Sequence, residues 1–140
     1  MSYTIADLQY LMARLRDPLT GCPWDLKQTP ITVVPHTLEE VYELVDAIEQ
    51  GDSTQVQQEL GDVLFQVIFY SQLASEQGSF DFSNVVNDIV EKLLRRHPHV
   101  FPDGSLTSRR TTMAPDDAAI KARWEEIKQD ERQQKSQHSV

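Results

Sequence analysis

The sequence predicts an all-α protein, a bundle of four to five helices, because apolar residues recur at helical spacing and no segment alternates as a strand does. Two further observations support this fold class. Thr4 and Thr37 each stand three residues before an acidic side chain, a pairing typical of a helix start. Gly51 and Gly78 follow apolar stretches and are suited to end helices.

The first helix is expected to begin at Thr4, and its apolar residues share one stripe: Ile5, Leu8, Leu11, Met12 and Leu15. The following segment, Arg16 to Pro35, is rich in proline and glycine and is expected to be a turn-rich connection without regular structure. Loops of this length are often functional. Trp24 within it is expected to be a hydrophobic anchor or to line a ligand site.

The second helix is expected to run from Thr37 to about Gln50, where Gly51 ends it. Asp52 or Ser53 caps the third helix, which should extend to Glu76. Apolar residues surround most of this third helix, so it is either central or buried against a second subunit. The pattern therefore predicts a homodimer formed through the central helices, with higher assembly also open.

A fourth helix should open at Asp81 or Ser83 and end near Arg96, before His97-Pro98. A last helix is expected from Pro115 to about Lys128. The chain is therefore expected to form one domain over residues 1–128. Residues 129–140 are polar throughout and are expected to be a disordered tail or the start of a linker.

Composition excludes several classes of protein. A net charge of −9 argues against nonspecific binding of nucleic acid, although basic residues gather at 92–96 and 109–110 and leave a local anion site open. No apolar run is long enough to cross a bilayer, and the N-terminal residues lack a signal pattern. The single cysteine, Cys22, fits a reducing cytosol, so a cytoplasmic location is expected.

Two acidic pairs lie at mirror-image distances from Gly51. Glu43 and Glu59 lie eight residues before and after it, and Glu40 and Asp62 lie eleven before and after. If both flanking helices fold back at the glycine, the four carboxylates converge, because residues three apart share a helix face. Such a cluster is strongly repulsive unless a cation is bound, and all-oxygen ligands favour Mg²⁺ or Mn²⁺ over Zn²⁺.

The alternative is a solvated acidic helix face without a ligand. Two observations weigh against it: Asp62 stands inside the apolar run LGDVLFQVIF, and Glu39, Glu40, Glu43 and Asp46 crowd one helix with no nearby lysine. Because like charges at this spacing destabilise a helix, the crowding requires a reason.

These residues also resemble a known family. Glu39-Glu40-Val-Tyr-Glu43, fifteen intervening residues and Glu59-Leu-Gly-Asp62 match the EExxE…ExxD signature of the MazG family, all-α nucleoside triphosphate pyrophosphohydrolases. The similarity covers nearly the whole chain and is closest to the first copy of tandem MazG proteins. It extends over GCPWD (21–25), ELGDVLFQVIFYSQ (59–72), KLLRRHPHVF (92–101) and RWEEIKQDERQQKSQHS (123–139).

The resemblance implies that Glu40, Glu43, Glu59 and Asp62 bind Mg²⁺, and that water attacks the α-phosphorus to release a nucleoside monophosphate and pyrophosphate. The same resemblance makes Glu39 an additional catalytic candidate that orients water; the alternative is that Glu39 is simply exposed.

A second group of residues is implied to bind the nucleotide. Lys92 and Arg96 match triphosphate-binding positions, although the residues alone favour solvated charge at a helix end. Trp124 and Lys128 match a W-x-x-x-K pattern in which the ring stacks on the base and the amine meets phosphate; the alternative is a core tryptophan and a solvated lysine. Arg95 is expected to point elsewhere, towards the surface or an interface.

The leading hypothesis is therefore an Mg²⁺-dependent enzyme that acts on nucleoside triphosphates. The first alternative is a noncatalytic module of a tandem protein that binds nucleotide and dimerises. The second is an oligomeric scaffold without a ligand, which requires that the four carboxylates bind no metal.

Overall fold

The computed structural model describes residues 2–138, and within that range it is all-α, as predicted, with six helices. Five of them are longer than ten residues, and one is a single turn. The chain divides into two compact units, of which the first ends at Val85 and the second begins at Val86. The helices are α1 (Ile5–Leu15), α2 (Pro23–Leu26), α3 (Pro30–Gln50), α4 (Ser53–Glu76), α5 (Phe82–Arg96) and α6 (Asp117–His138).

The first unit is built around a hairpin of α3 and α4. Gly51 ends α3 in the left-handed conformation, with φ of 75°, which glycine adopts without steric cost. Asp52 then caps α4, because its carboxylate accepts hydrogen bonds from the backbone N–H groups of Thr54 at 3.0 Å and Gln55 at 3.3 Å. The predicted turn at Gly51 and the predicted cap at Asp52 are both confirmed.

Helix α1 packs on α4 and completes the core of this unit. The buried cluster consists of Met12, Val33, Ile68, Phe69 and Leu73. At the end of α1, the guanidinium of Arg16 donates to the carboxylate of Glu76, with Nη2–Oε1 at 2.6 Å. The pair links the C-terminal ends of α1 and α4.

The prediction that α3 begins at Thr37 is wrong, because the helix begins at Pro30. Thr29 is its cap: the Thr29 hydroxyl accepts from the Thr32 backbone at 3.4 Å, and the Thr32 hydroxyl accepts from the Thr29 backbone at 2.8 Å. Pro30 occupies the first helical position, where proline is favoured.

Pro35 therefore lies inside α3 rather than before it. An internal proline removes one backbone hydrogen bond and disfavours the helix, and here the cap at Thr29 and the burial of Val33 in the core offset that cost. The expected long irregular segment is correspondingly shorter, and it also contains the turn of α2. Thr37 is an internal helix residue.

The second unit contains most of α5 and all of α6 that is described. Helix α5 begins after Asp81 and ends at Arg96, as predicted. Helix α6 ends at His138 rather than near Lys128, so the helix continues over residues 129–138, where the sequence predicted a disordered tail. Glutamine, lysine, glutamate and arginine dominate that stretch, and all four are good helix formers.

Residues 139–140 of the predicted tail lie outside the described residues, and the division of the chain at residue 128 stays a prediction.

Ile127 of α6 is buried, at 5% exposure. Over the part of the chain that the structure describes, no helix combines the length and the apolar character needed to cross a membrane.

Candidate functional site

The α3–α4 hairpin brings the four predicted carboxylates together. Glu40 and Glu43 project from α3, and Glu59 and Asp62 project from α4. Each side chain offers one oxygen, and these four oxygens all lie within 4.8 Å of one another. The turn at Gly51 sets this register, because the paired carboxylates lie at equal sequence distances before and after it.

Desolvation and repulsion from neighbouring carboxylates disfavour the ionised forms of Glu40 and Glu59. The pKa of Glu40 rises from its ordinary value of 4.5 to about 7, chiefly because of desolvation and then because of the charges of Asp62 and Glu43. The pKa of Glu59 is also raised, first by desolvation and then by Glu43 and Asp62. The salt bridges described within residues 2–138 involve Glu76, Glu125, Glu126 and Glu131 rather than these four carboxylates.

Two carboxylate oxygens of the cluster are buried and lack hydrogen-bond partners, which suits the binding of a cation. Oε2 of Glu40 and Oε2 of Glu59 are inaccessible to solvent, and neither has a hydrogen-bond partner among the described residues. An unpaired buried acceptor is costly, and a divalent cation would satisfy both oxygens and reduce the repulsion together. The donor set of four carboxylates is that of a hard cation.

A cavity of about 270 Å³ lies against this cluster in the first unit. Glu40 and Asp62 line it, and its other walls are mainly aromatic and aliphatic: Trp24, Val33, His36, Phe65, Gln66 and Phe69. The Trp24 and His36 rings meet edge to face, with centroids 5.3 Å apart. Trp24, expected to be an anchor or a lining residue, lies half-exposed in the wall of this cavity.

The second unit contains a separate cavity of about 500 Å³, lined almost entirely by basic side chains. Lys92, Arg96 and Lys128, the three predicted phosphate-binding residues, all line it. The structure therefore brings these three together. Because the chain as a whole carries a net charge of −9, this local concentration of positive charge is a marked departure, and it suits an anion.

Arg95 is exposed, as expected, but it lines the basic cavity with Lys92 and Arg96, so the expectation that it points away from them is wrong. Glu131 of α6 holds both arginines: its carboxylate accepts from Arg95 Nε at 2.9 Å, from Arg96 Nη2 at 3.0 Å and from Arg96 Nε at 3.3 Å. The two guanidinium groups lower the pKa of Glu131 through these hydrogen bonds, those of Arg96 contributing most.

Two other predicted residues belong neither to the lining of the basic cavity nor to the four-carboxylate cluster. Trp124 is half-buried and meets His97 edge to face, with centroids 5.7 Å apart, and it does not line the basic cavity. Its buried indole Nε1 has no hydrogen-bond partner among the described residues. Glu39 is exposed on α3 and does not belong to the four-carboxylate cluster.

Sequence comparison places the chain in a family. The model of the MazG nucleotide pyrophosphohydrolase domain matches residues 28–101, a range that contains all four clustered carboxylates. The chain belongs to the MazG family.

Two relatives are similar in sequence over most of the chain. The chain is 53% identical over 130 residues to the nucleoside triphosphate pyrophosphohydrolase of Escherichia coli K12, an alignment covering 93% of the chain and 46% of that protein. It is 40% identical over 134 residues to the nucleoside triphosphate pyrophosphohydrolase/pyrophosphatase MazG of Thermotoga maritima, covering 96% and 48%. The chain therefore spans about half the length of these relatives.

A solved structure shares the MazG fold. The crystal structure of a MazG-related protein from Thermotoga maritima superposes with a TM-score of 0.70 over 89% of this chain and 98% of that one. The two sequences are 22% identical, so this likeness concerns the fold alone.

Proposed function

We propose that this chain hydrolyses nucleoside triphosphates to a nucleoside monophosphate and pyrophosphate, using a divalent cation, with Mg²⁺ preferred over Mn²⁺. The observation that carries the proposal is the cluster of four carboxylates in a MazG domain, with two buried oxygens that lack partners. The names of the two relatives above support the reaction class.

Glu40, Glu43, Glu59 and Asp62 are the proposed metal ligands. A divalent cation, when bound, supplies Lewis-acid chemistry towards phosphate oxygens. The chain supplies the negative charge that holds the cation and a hairpin that keeps the four oxygens close together before it binds. Glu39 is exposed on α3 and precedes Glu40 in the sequence, and we propose that it orients the attacking water.

We further propose that Lys92, Arg96 and Lys128 bind phosphate oxygens of the substrate. Guanidinium and ammonium groups suit this role because they donate several hydrogen bonds and carry a permanent charge. Trp124 is a further proposed substrate-binding residue, and its buried indole N–H has no partner among the described residues.

The second candidate function is a noncatalytic module that binds nucleotide within a longer protein. The observation that favours it is that the chain spans only about half of its relatives. The intact set of four carboxylates favours the enzyme, because a module without catalysis has no need to keep all four.

We propose that the chain forms a homodimer. Apolar side chains of the α3–α4 hairpin remain exposed in the described residues, including Leu38 at 55%, Ile48 at 58% and Leu60 at 52%. Many exposed apolar side chains on one hairpin are typical of an interaction surface rather than of a monomer's surface. Sedimentation equilibrium at micromolar concentration tests it, and a stable monomer would contradict the proposal.

A product assay tests the activity. The protein is incubated with a panel of nucleoside triphosphates in Mg²⁺ or in EDTA, and pyrophosphate and orthophosphate are measured separately. We expect release of pyrophosphate and no orthophosphate in Mg²⁺, and no release of either in EDTA. The Asp62→Asn variant is the catalytic control, and Asp46→Asn, an exposed carboxylate of α3 outside the cluster, is the matched control that should retain activity. Binding without turnover would favour the module.

A further inference from the structure

The aromatic cavity beside the carboxylate cluster contains one enclosed amide. Gln66 lies on α4 one helical turn after Asp62, so the two side chains share a face. The residue is only 8% exposed, although it is polar and carries both a donor and an acceptor. A buried amide of this kind is expected to have its hydrogen bonds satisfied.

The acceptor of this amide is already paired. The hydroxyl of Thr37 donates to Oε1 of Gln66 at 2.8 Å, and the hydroxyl of Tyr70 lies 2.7 Å from Oγ1 of Thr37. A threonine hydroxyl has a single hydrogen, so Tyr70 donates to Thr37 while Thr37 donates to Gln66. The other acceptor near Thr37, the carbonyl oxygen of Val33, is more distant at 3.3 Å.

This chain of hydrogen bonds gives Gln66 a defined polarity. With Oε1 held by Thr37, the amide presents Nε2 as its remaining polar group, and the hydrogen bonds formed among residues 2–138 include none donated by that nitrogen. An amide free to rotate could offer either a donor or an acceptor. Here Oε1 is the amide atom paired with Thr37, so Nε2 is the group left to donate.

The rest of the cavity suits a flat ring. Its aromatic and aliphatic walls would cover the faces of a heterocycle, and its volume of about 270 Å³ lies below the roughly 300–1,000 Å³ of pockets for drug-sized ligands. It therefore fits one ring system rather than a whole nucleotide. Glu40 and Asp62, proposed metal ligands, line the same cavity.

We propose that Gln66 determines base specificity by donating a hydrogen bond from Nε2 to a carbonyl oxygen of the nucleobase. Thr37 and Tyr70 are positioning residues that keep the amide in this orientation. The inference rests on the nucleotide chemistry proposed above. It predicts that bases with a carbonyl at the recognised edge, such as hypoxanthine and uracil, are preferred over adenine and cytosine, which carry an amino group there.

The size of this preference follows from one hydrogen bond. With a carbonyl base the Nε2 donor is paired, whereas with an amino base two donors face each other and both stay unpaired in a half-enclosed site. Such a difference corresponds to roughly tenfold in kcat/KM. ITP and ATP form a suitable pair because they differ at the base C6 substituent, and UTP and CTP differ at C4.

The experiment measures kcat/KM for ITP and ATP with the whole chain and three variants. Gln66→Met keeps the length of the side chain and removes its hydrogen bonds. Thr37→Val removes the hydroxyl that orients the amide, and Thr37 does not line the cavity. Gln57→Met changes an exposed glutamine of the same helix and is the matched control.

We expect an ITP-to-ATP ratio of about 10 in the unaltered chain and in Gln57→Met, and ratios near 1 in Gln66→Met and Thr37→Val. Preference for ATP in the unaltered chain, or a ratio that Gln66→Met leaves unchanged, would overturn the proposal. If the chain hydrolyses no nucleotide, the proposed activity fails. The affinities for IMP and AMP, measured by calorimetry, then test the role of Gln66, with the same IMP-to-AMP ratios expected for each variant. Equal affinity for IMP and AMP would refute the role of Gln66.

Discussion

Replacement of Glu43 by glutamine is the sharpest perturbation of the proposed metal centre. Glu43 is an exposed residue of the hairpin, and its carboxylate is one of four whose oxygens lie within 4.8 Å of one another. The substitution retains the shape of the side chain and removes one charge. The metal-free protein should therefore keep its fold and gain slightly in stability, because a like-charge pair in a helix costs about 0.2–0.5 kcal/mol.

The effect of the metal can be calculated by mass action. A ligand that binds only the folded chain at one hundred times its Kd stabilises it by about 2.7 kcal/mol. For a chain of 140 residues this corresponds to a rise in Tm of about 8–11 °C. If loss of one of four ligands weakens binding about a hundredfold, the same concentration gives only about 0.4 kcal/mol, or about 1–2 °C.

Differential scanning fluorimetry with and without Mg²⁺ measures both values. The matched control is Glu49→Gln, which removes an exposed carboxylate from the same helix outside the cluster and should keep the full shift. A full shift in Glu43→Gln would refute the assignment of the site. A shift lost in both variants would mean that the ion responds to the overall charge of α3 rather than to these four oxygens.

Three other results are expected. In the metal-free chain, the folded state holds the Glu40 proton more tightly than the unfolded state, because the pKa of Glu40 rises from 4.5 to about 7 on folding. The resulting stabilisation is complete below pH 4.5 and is lost as the pH rises through about 7. The Tm measured from pH 5 to 8 should therefore fall less steeply in Glu40→Gln. Arg96→Ala should reduce turnover by roughly 10²-fold without changing the Mg²⁺-dependent melting shift. Arg16→Ala should lower the free energy of unfolding by about 1–2 kcal/mol in denaturant titrations, because it breaks the partly exposed pair with Glu76.

The hairpin and its acidic cluster were predictable from the sequence for a physical reason. Gly51 requires a left-handed backbone that ends a helix, and the carboxylates stand at equal distances on both sides of it. Helical geometry then determines that Glu43 meets Glu59 and that Glu40 meets Asp62. The prediction requires no contacts between residues distant in sequence, because all four carboxylates lie within the single α3–α4 hairpin.

The start of α3 was not predictable in the same way. Pro35 normally argues against a helix interior, and the local signal at Thr37 resembles a cap. The outcome depends on burial of Val33 in the core, which is a tertiary effect that periodicity does not contain. Once the helix extends back to Pro30, the hydroxyl of Thr37 is free to contact Gln66 instead of capping.

Other side chains carried a signal that spacing alone did not resolve. Gln66 is a polar residue within the apolar run of α4, and that pattern indicates a buried polar role, whereas Asp62 of the same run is exposed. Arg95 stands three residues after Lys92, so a shared face was as available to it as to Arg96. The pairing of both arginines with Glu131 joins residues more than thirty positions apart, which the sequence does not reveal without the structure.

The most direct test of the central claim is hydrolysis of a nucleoside triphosphate in H₂¹⁸O with Mg²⁺, followed by mass spectrometry of both products. Attack of water at the α-phosphorus places the label on the nucleoside monophosphate and leaves the pyrophosphate unlabelled. We predict that outcome, together with its loss in Asp62→Asn. Label on the pyrophosphate, or release of orthophosphate with a nucleoside diphosphate, would contradict the proposed reaction.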